Sequence, residues 1–476
     1  MTTTTHATRF QAAPEKVRDH SGIEGFGAEL LPSANTAERT TTVDRADPYW
    51  DRLWAPGSQA YWTTADTLRA HVEAGAKIPT KLRATPDPDA LLGHRDLRKG
   101  LDLLAAADSW RTISTQQAAA LIGDARLANP DLPIIRHLLT NGLVDVGSFP
   151  DPYGVNAAPA GRDGQYRTKG FGRVLRPGRS DTFNRFTDHL TWAEWVSITG
   201  GHPWPGPGLY DRHNILAAEL ALRSAEMLPV ATVYGEKYSS HDLLAGTGAG
   251  RAEIRGSRDS NRRADGTIVL STGLKVALEV TASNSDRLIS KVAAWARLIR
   301  DAPLDTTGLV VLFVAAPDPE RTAHRNDPSS AVRKTIAEVV SQYPGTGRND
   351  PARRIGFVHW REWFPARHQV SDRFMDTQVW FPTGRGLDRW QPASLEEIEF
   401  DPQYDMQQMV DAASVLASTP HWLRTGTAST ILGDPMQRAG VEVPEPEETK
   451  PLLGGERDLG APSGWAGQAK LPPRLR

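Results

Sequence analysis

Asp265, Glu279 and Lys291 lie in the stretch RRADGTIVLSTGLKVALEVTASNSDRLISKVAAW, which runs from Arg262 to Trp295. The aspartate follows a turn-prone segment, the glutamate ends an apolar run and the lysine falls inside a helical pattern. Two carboxylates supply hard oxygen ligands for magnesium or manganese, and such an ion polarises a scissile phosphate, activates water and stabilises charge on the departing oxygen. A lysine beside them stabilises phosphate charge or positions the water. Glu219, on a helix upstream, offers a further metal ligand or a group to orient water. Each residue also has a plain structural reading: a turn cap for Asp265, an ion-paired rim residue for Glu279, and solvated helix positions for Lys291 and Glu219.

These side chains need a scaffold to bring them together. The apolar segments Thr267–Leu270 and Leu274–Val280 read as adjacent strands joined by the turn Ser271–Gly273, so hairpin pairing places Asp265 and Glu279 in one crevice. The following stretch, Ser285–Arg300, carries Leu288, Val292, Trp295 and Ile299 on one helical face. Gly308–Ala315, GLVVLFVA, is apolar almost throughout, as expected of a strand covered on both sides. A helix over Val332–Val340 and strands at Ile355–His359 and Gln378–Phe381 complete an alternating α/β domain. Its opening helix carries Ile215, Leu216, Leu220 and Leu222, after a Gly/Pro-rich junction spanning Gly200–Gly208.

The first half of the chain has a different texture. Leu97, Leu101 and Leu104 mark one helix, weakened by Gly100. Ser114 and Gln117 form a capping box that opens a second helix, closed by Gly123. Ile134, Ile135, Leu138 and Leu139 give a third, which leads into a strand through Leu143, Val144 and Val146. This order predicts a winged helix-turn-helix whose last helix turns Arg136, His137 and Thr140 to the major groove of double-stranded DNA. The segment GRDGQYRTKGFGRVLRPGR would form the wing, pinned by Tyr166 and Phe171, with Arg162, Arg167, Lys169, Arg173 and Arg176 on phosphates. Arg262 and Arg263 belong to a second basic cluster. The net charge of −2 argues against a uniformly basic molecule, so the expected DNA footprint is local.

A length of 476 residues suggests two or three domains. We assign a disordered arm to 1–45, a winged-helix domain to 46–198, an α/β domain to 209–422 and a disordered tail to 423–476. The absence of cysteine removes disulfides, thiolate nucleophiles and cysteine metal sites. No apolar run approaches the roughly 20 residues of a membrane span, so the expectation is a cytoplasmic protein without a membrane partner. His189, His202, His213 and His241 lack zinc-ligand spacing. GTGAGR has no following phosphate-loop lysine and hydroxyl, which argues against a nucleotide-driven motor. Trp192, Trp195, Trp360 and Trp363 are expected in the core or at a domain contact.

The order of elements resembles the actinobacterial replication-relaxation family, which joins an amino-terminal winged helix to a domain related to the PD-(D/E)XK nucleases. The resemblance covers roughly Asp96 to Val314. It implies a restriction-endonuclease-like α/β fold and duplex DNA as partner, in plasmid, phage or mobile-element replication, relaxation or transfer. Replication or transfer proteins and a homodimer are further partners open to it. Asp265 matches the metal-binding aspartate of the pattern and Glu279 its second acid, with magnesium or manganese as the metal. The usual lysine would fall at position 281, which carries Thr281, so Lys291 would act as a migrated replacement. The readings are a magnesium-dependent DNA endonuclease, a non-catalytic replication-initiator or transcription-like adaptor that grips duplex DNA and recruits proteins without a metal, and a structural protein of a phage or plasmid system that does not touch DNA.

Overall fold

The computed structural model describes residues 45–51, 53, 60–78, 80–83, 85–149, 173–204, 206, 211–241, 244, 263–319 and 328–425. The expected arm and tail lie outside the described residues except for 45 and 423–425, and so do Arg162, Tyr166, Arg167, Lys169, Phe171 and Arg262. No helix among the described residues is long and apolar enough to cross a membrane.

The first module begins with strand β1 (Tyr61–Thr63) and helix α1 (Ala65–Glu73), then helix α2 (Leu97–Trp110), strand β2 (Ile113–Ser114), helix α3 (Thr115–Ile122) and helix α4 (Pro133–Thr140). Gly100 lies inside α2, where a side chain would bring its Cβ to 2.9 Å from Ile134 Cδ1. The residue that weakens the helix therefore lets α2 and α4 pack closely. Ser114 Oγ accepts from Gln117 N–H at 3.0 Å, Gln117 Oε1 accepts from Ser114 N–H at 3.0 Å, and Gly123 closes α3 with φ 75°. Strands β3 (Val144–Ser148) and β4 (Arg173–Pro177) pair antiparallel, and the sheet runs β1-β3-β4-β2. Two further helices, α5 (Ser180–Phe186) and α6 (Trp192–Thr199), follow, the second packed on α2.

The second module opens with α7 (Asp211–Met227), almost wholly buried. Strands β5 (Val230–Gly235), β6 (Gly266–Leu270) and β7 (Lys275–Thr281) form an antiparallel meander. Helix α8 (Asp286–Asp301) then leads to β8 (Leu309–Ala315), parallel to β7. After α9 (Ser329–Val340) come β9 (Ile355–His359), β10 (Gln378–Thr383) and β11 (Arg389–Ser394), which complete a seven-stranded sheet in the order β11-β10-β9-β8-β7-β6-β5. Along β8, Val310, Leu312 and Val314 join the core shared with α7, whereas Val311 and Phe313 join that of α8 and α9. The continuous apolar run thus serves a sheet covered on both faces.

Residues 45–51, expected at the start of the first domain and its arm, are tied to the second module. Arg45 Nη1 contacts Glu226 Oε1 at 2.6 Å, Arg223 Nη2 approaches Asp47 Oδ2 at 2.9 Å, and Trp50 Nε1 donates to Phe364 O at 3.0 Å. Sequence proximity is a poor guide here because a buried guanidinium must find its carboxylate wherever the fold places one.

Candidate active site

The meander positions the acids. Gly266 stands opposite Leu278 in the β6–β7 ladder, which puts Asp265 and Glu279 one step further along at the same end. Asp265 Oδ2 accepts from Val280 N–H at 2.7 Å, so the aspartate is fixed beside the neighbour of Glu279. Glu279 projects toward α8: its Oε1 accepts from Trp295 Nε1 at 2.7 Å, and its Oε2 pairs with the Lys291 ammonium. Lys291 and Trp295 are a helical turn apart and reach the carboxylate from one face. His213, at the start of α7, places Nδ1 3.7 Å from Asp265 Oδ2. A cavity of about 300 Å³ opens here, lined among others by His213, Asp265, Glu279, Thr281, Lys291 and Phe313. The Lys291 side chain is 37% exposed and that of Glu279 only 3%, so the lysine is the part of the pair open to solvent.

The field divides the two acids. Burial pushes the Asp265 carboxyl upward, but Lys291, His213 and the Val280 N–H outweigh it and hold the group below its ordinary value. Burial also acts on Glu279, and together with the nearby Asp265 charge it keeps that carboxyl above its ordinary value despite Lys291. Burial disfavours the Lys291 ammonium, yet Glu279, Asp265 and Glu236 more than compensate and hold its pKa up. The surroundings thus favour the ionised form of Asp265 and disfavour that of Glu279.

Glu219 does not join them. It is 1% exposed and lies between Arg45 and Arg223, the latter at 3.0 Å, with Gln117 Nε2 at 3.2 Å. A carboxylate enclosed by buried guanidinium groups is a structural counter-charge, so the role of metal ligand or water-orienting group is corrected. Glu219→Gln is expected to lower the thermal denaturation midpoint, because it removes the buried counter-charge of Arg45 and Arg223, while leaving the surroundings of Asp265 and Glu279 intact.

The predicted DNA face also differs from expectation. Helix α4 packs against α1 and the short helical segments 80–82 and 88–92, and Asn141 Nδ2 at its end donates to Asp87 O at 3.3 Å. Thr140 is 7% exposed, its Oγ1 bonds back to Arg136 O at 3.0 Å, and it lines a cavity of about 270 Å³ together with Asp66, Arg69, Arg179 and His189, so it is not on an open helix face. Arg136 donates to Asp131 O and, like His137, is half-buried. Arg176 is held by Asp145 Oδ2 at 3.0 Å with its guanidinium 4.2 Å over the Trp62 ring, which removes it from the expected phosphate contacts. Arg173 begins β4, and Arg263 is exposed at the edge of the second module. The elements that pack on α4 are short and carry few apolar residues, so apolar periodicity does not announce them.

Sequence reasoning missed His213 and the turn residue Glu236, which follows the Gly235↔Gly266 pair and so stands across from Asp265. Neither has a local signature. Trp295 was expected only in the core; its spacing of four from Lys291 was the available sign that both reach the same acid. Comparison with protein families, with curated proteins and with solved structures finds no match.

Proposed function

We propose that this chain is a DNA-binding protein whose second module is a magnesium- or manganese-dependent phosphodiesterase. The observation that carries the reading is the convergence of Asp265, Glu279 and Lys291 on one cavity at the end of an antiparallel meander. The succession of helix, three antiparallel strands, helix and parallel strand from α7 to β8 supports a restriction-endonuclease-like core. The order of α2, β2, α3, α4, β3 and β4, with β2 pairing to β4, supports a winged helix in the first module. Plasmid, phage or mobile-element replication or relaxation is the setting we assign to it.

The donor set fits a hard cation. Asp265 and Glu279 would hold it, and among the described residues no group of three or more acidic, histidine or cysteine side chains is arranged as a complete metal cage. Magnesium accepts such a site because it keeps several waters and binds through one or two carboxylates. When bound, the metal supplies Lewis-acid polarisation of the phosphate and a more acidic water. The chain's own groups do the rest: Lys291 presents positive charge to the phosphoryl oxygens, Trp295 orients Glu279, and the Val280 N–H fixes Asp265. The test is conversion of supercoiled duplex DNA by the full chain with Mg²⁺ or Mn²⁺, with Asp265→Asn and Glu279→Gln as controls.

One observation favours the gripping adaptor instead: both oxygens of Glu279 are already engaged, by Lys291 and Trp295. That reading expects duplex binding that survives both substitutions, with no cut product from the wild-type chain.

Because burial holds the Glu279 carboxyl above its ordinary value, protons compete with the metal there. Mn²⁺ affinity, measured by calorimetry, is expected to weaken as pH falls from about 8 to about 5, since ligands must be deprotonated to bind. Glu279→Gln should flatten most of that dependence. An affinity constant across the range would remove Glu279 from the metal site.

A further inference from the structure

Helix α8 carries a third long side chain on the face that reaches Glu279. Trp295 and Lys291 meet that carboxylate, and a further step of four toward the start of the helix brings Arg287, in its first turn, onto the same face. Trp295 is 1% exposed, the Lys291 side chain is 37% exposed and Arg287 is exposed, so the face runs from the core out to solvent. Arg287 is itself part of the cavity wall, together with Ser283 and Ser285 from the turn between β7 and α8. A molecule that fills the cavity beside Asp265 and Glu279 therefore meets this guanidinium.

The position of Arg287 sets what it can hold. The Lys291 ammonium pairs with Glu279, and Asp265 adds to the attraction, so that cation belongs to the acids at the inner end. Arg287 is four residues nearer the start of the helix, roughly 6 Å along its axis. That offset is on the scale of one nucleotide step, so a strand whose reacting phosphate faces Lys291 brings its next phosphate to the turn that carries Arg287. The helix itself does not call for a cation there, because its first turn favours acids such as Asp286. An arginine suits a phosphate at this place: its planar fork matches the oxygens and it stays charged. Ser283 and Ser285 add hydroxyl donors to the same wall.

We propose that Arg287 binds the phosphate next to the one acted on at Asp265 and Glu279, so that the site takes a polynucleotide strand laid along the first turns of α8 and disfavours an isolated phosphodiester. The inference rests on the reading of this cleft as a nuclease site and names its substrate class. Arg287 is then a residue of affinity and register, holding the strand while Lys291 faces the reacting phosphate. Its loss weakens binding and leaves the chemical step intact.

The experiment measures steady-state cleavage of duplex DNA by the full chain with Mn²⁺, and fluorescence anisotropy of a labelled duplex with Ca²⁺ over a series of KCl concentrations. Arg287→Gln is expected to raise KM for the duplex by about tenfold, the equivalent of one hydrogen bond to a charged group, with kcat unchanged. The slope of log affinity against log salt should fall by about one, as loss of one phosphate contact predicts. Hydrolysis of bis(p-nitrophenyl) phosphate, which has no neighbouring phosphate, should match the wild type. Arg287→Lys should keep the salt slope. Arg287→Glu suits the first turn of a helix, so it reverses the charge with α8 intact and should weaken binding further than the glutamine variant. Wild-type KM and slope in both uncationic variants would overturn the proposal, as would equal losses on the duplex and on bis(p-nitrophenyl) phosphate. A cleaving wild type with either result sinks Arg287 alone. A non-cleaving wild type whose duplex binding depends on Arg287 sinks the nuclease reading and leaves the phosphate contact. A wild type that neither cuts nor binds duplex overturns both.

Discussion

Asp265→Asn is expected to lower metal-dependent cleavage of duplex DNA by about a thousandfold or more, the equivalent of roughly 4 kcal/mol of lost transition-state stabilisation. The size follows from the proposed site's economy: if Asp265 and Glu279 are the metal's two acidic ligands, the loss of the aspartate would leave a buried glutamate whose ionised form burial disfavours. Lys291→Met attacks the same centre from the other side. On the proposed reading it would remove the cation that faces the phosphate, a loss on the order of a hundredfold to a thousandfold for a preorganised electrostatic group. It also removes the counter-charge of Glu279, so the pH profile of residual activity should move upward. Single-turnover rates over a pH series measure both effects. Equal rates for wild type and Asp265→Asn would end the catalytic reading.

Arg223→Met is expected to destabilise the protein by about 3–5 kcal/mol, because removing one partner of a buried ionic network leaves uncompensated charge behind. Arg223 is fully buried, 3.0 Å from Glu219 and 2.9 Å from Asp47, with its guanidinium 4.4 Å over the Phe364 ring. Among the described residues Arg45 then remains as the guanidinium that faces Glu219 and Glu226. Since Asp47 belongs to the strap 45–51, the strap should detach first. A proteolytic cut near residue 50 should therefore appear before the main denaturation, and a denaturation midpoint equal to the wild type would count against the network.

Much of the second module was legible from residue order. The GLVVLFVA run, the helix carrying Leu288 to Ile299, and the strand 355–359 appear within a residue or two of their expected bounds. So do the Ser114 cap and the Gly123 stop in the first module. These features depend on apolar periodicity and on hydrogen bonds that close within about four residues, so they are written where they act. The approach of Asp265 to Glu279 was legible for a related reason: a tight turn between two strands leaves little choice of register.

The remaining assignments depended on partners far along the chain. Arg45 reaches Glu219 across 174 positions, and that contact together with Arg223 turns a plausible metal ligand into a structural counter-charge. Helix α4 reads as an open recognition helix until α1 and the segment 88–92 are laid over it. Glu236 and His213 have no local mark; the β5–β6 register and the packing of α7 bring them to Asp265. Residue order settles which elements form, because propensity and capping are local. Which acids remain available for chemistry and which are neutralised is set by burial and charge pairing, and those exist only once distant segments have packed.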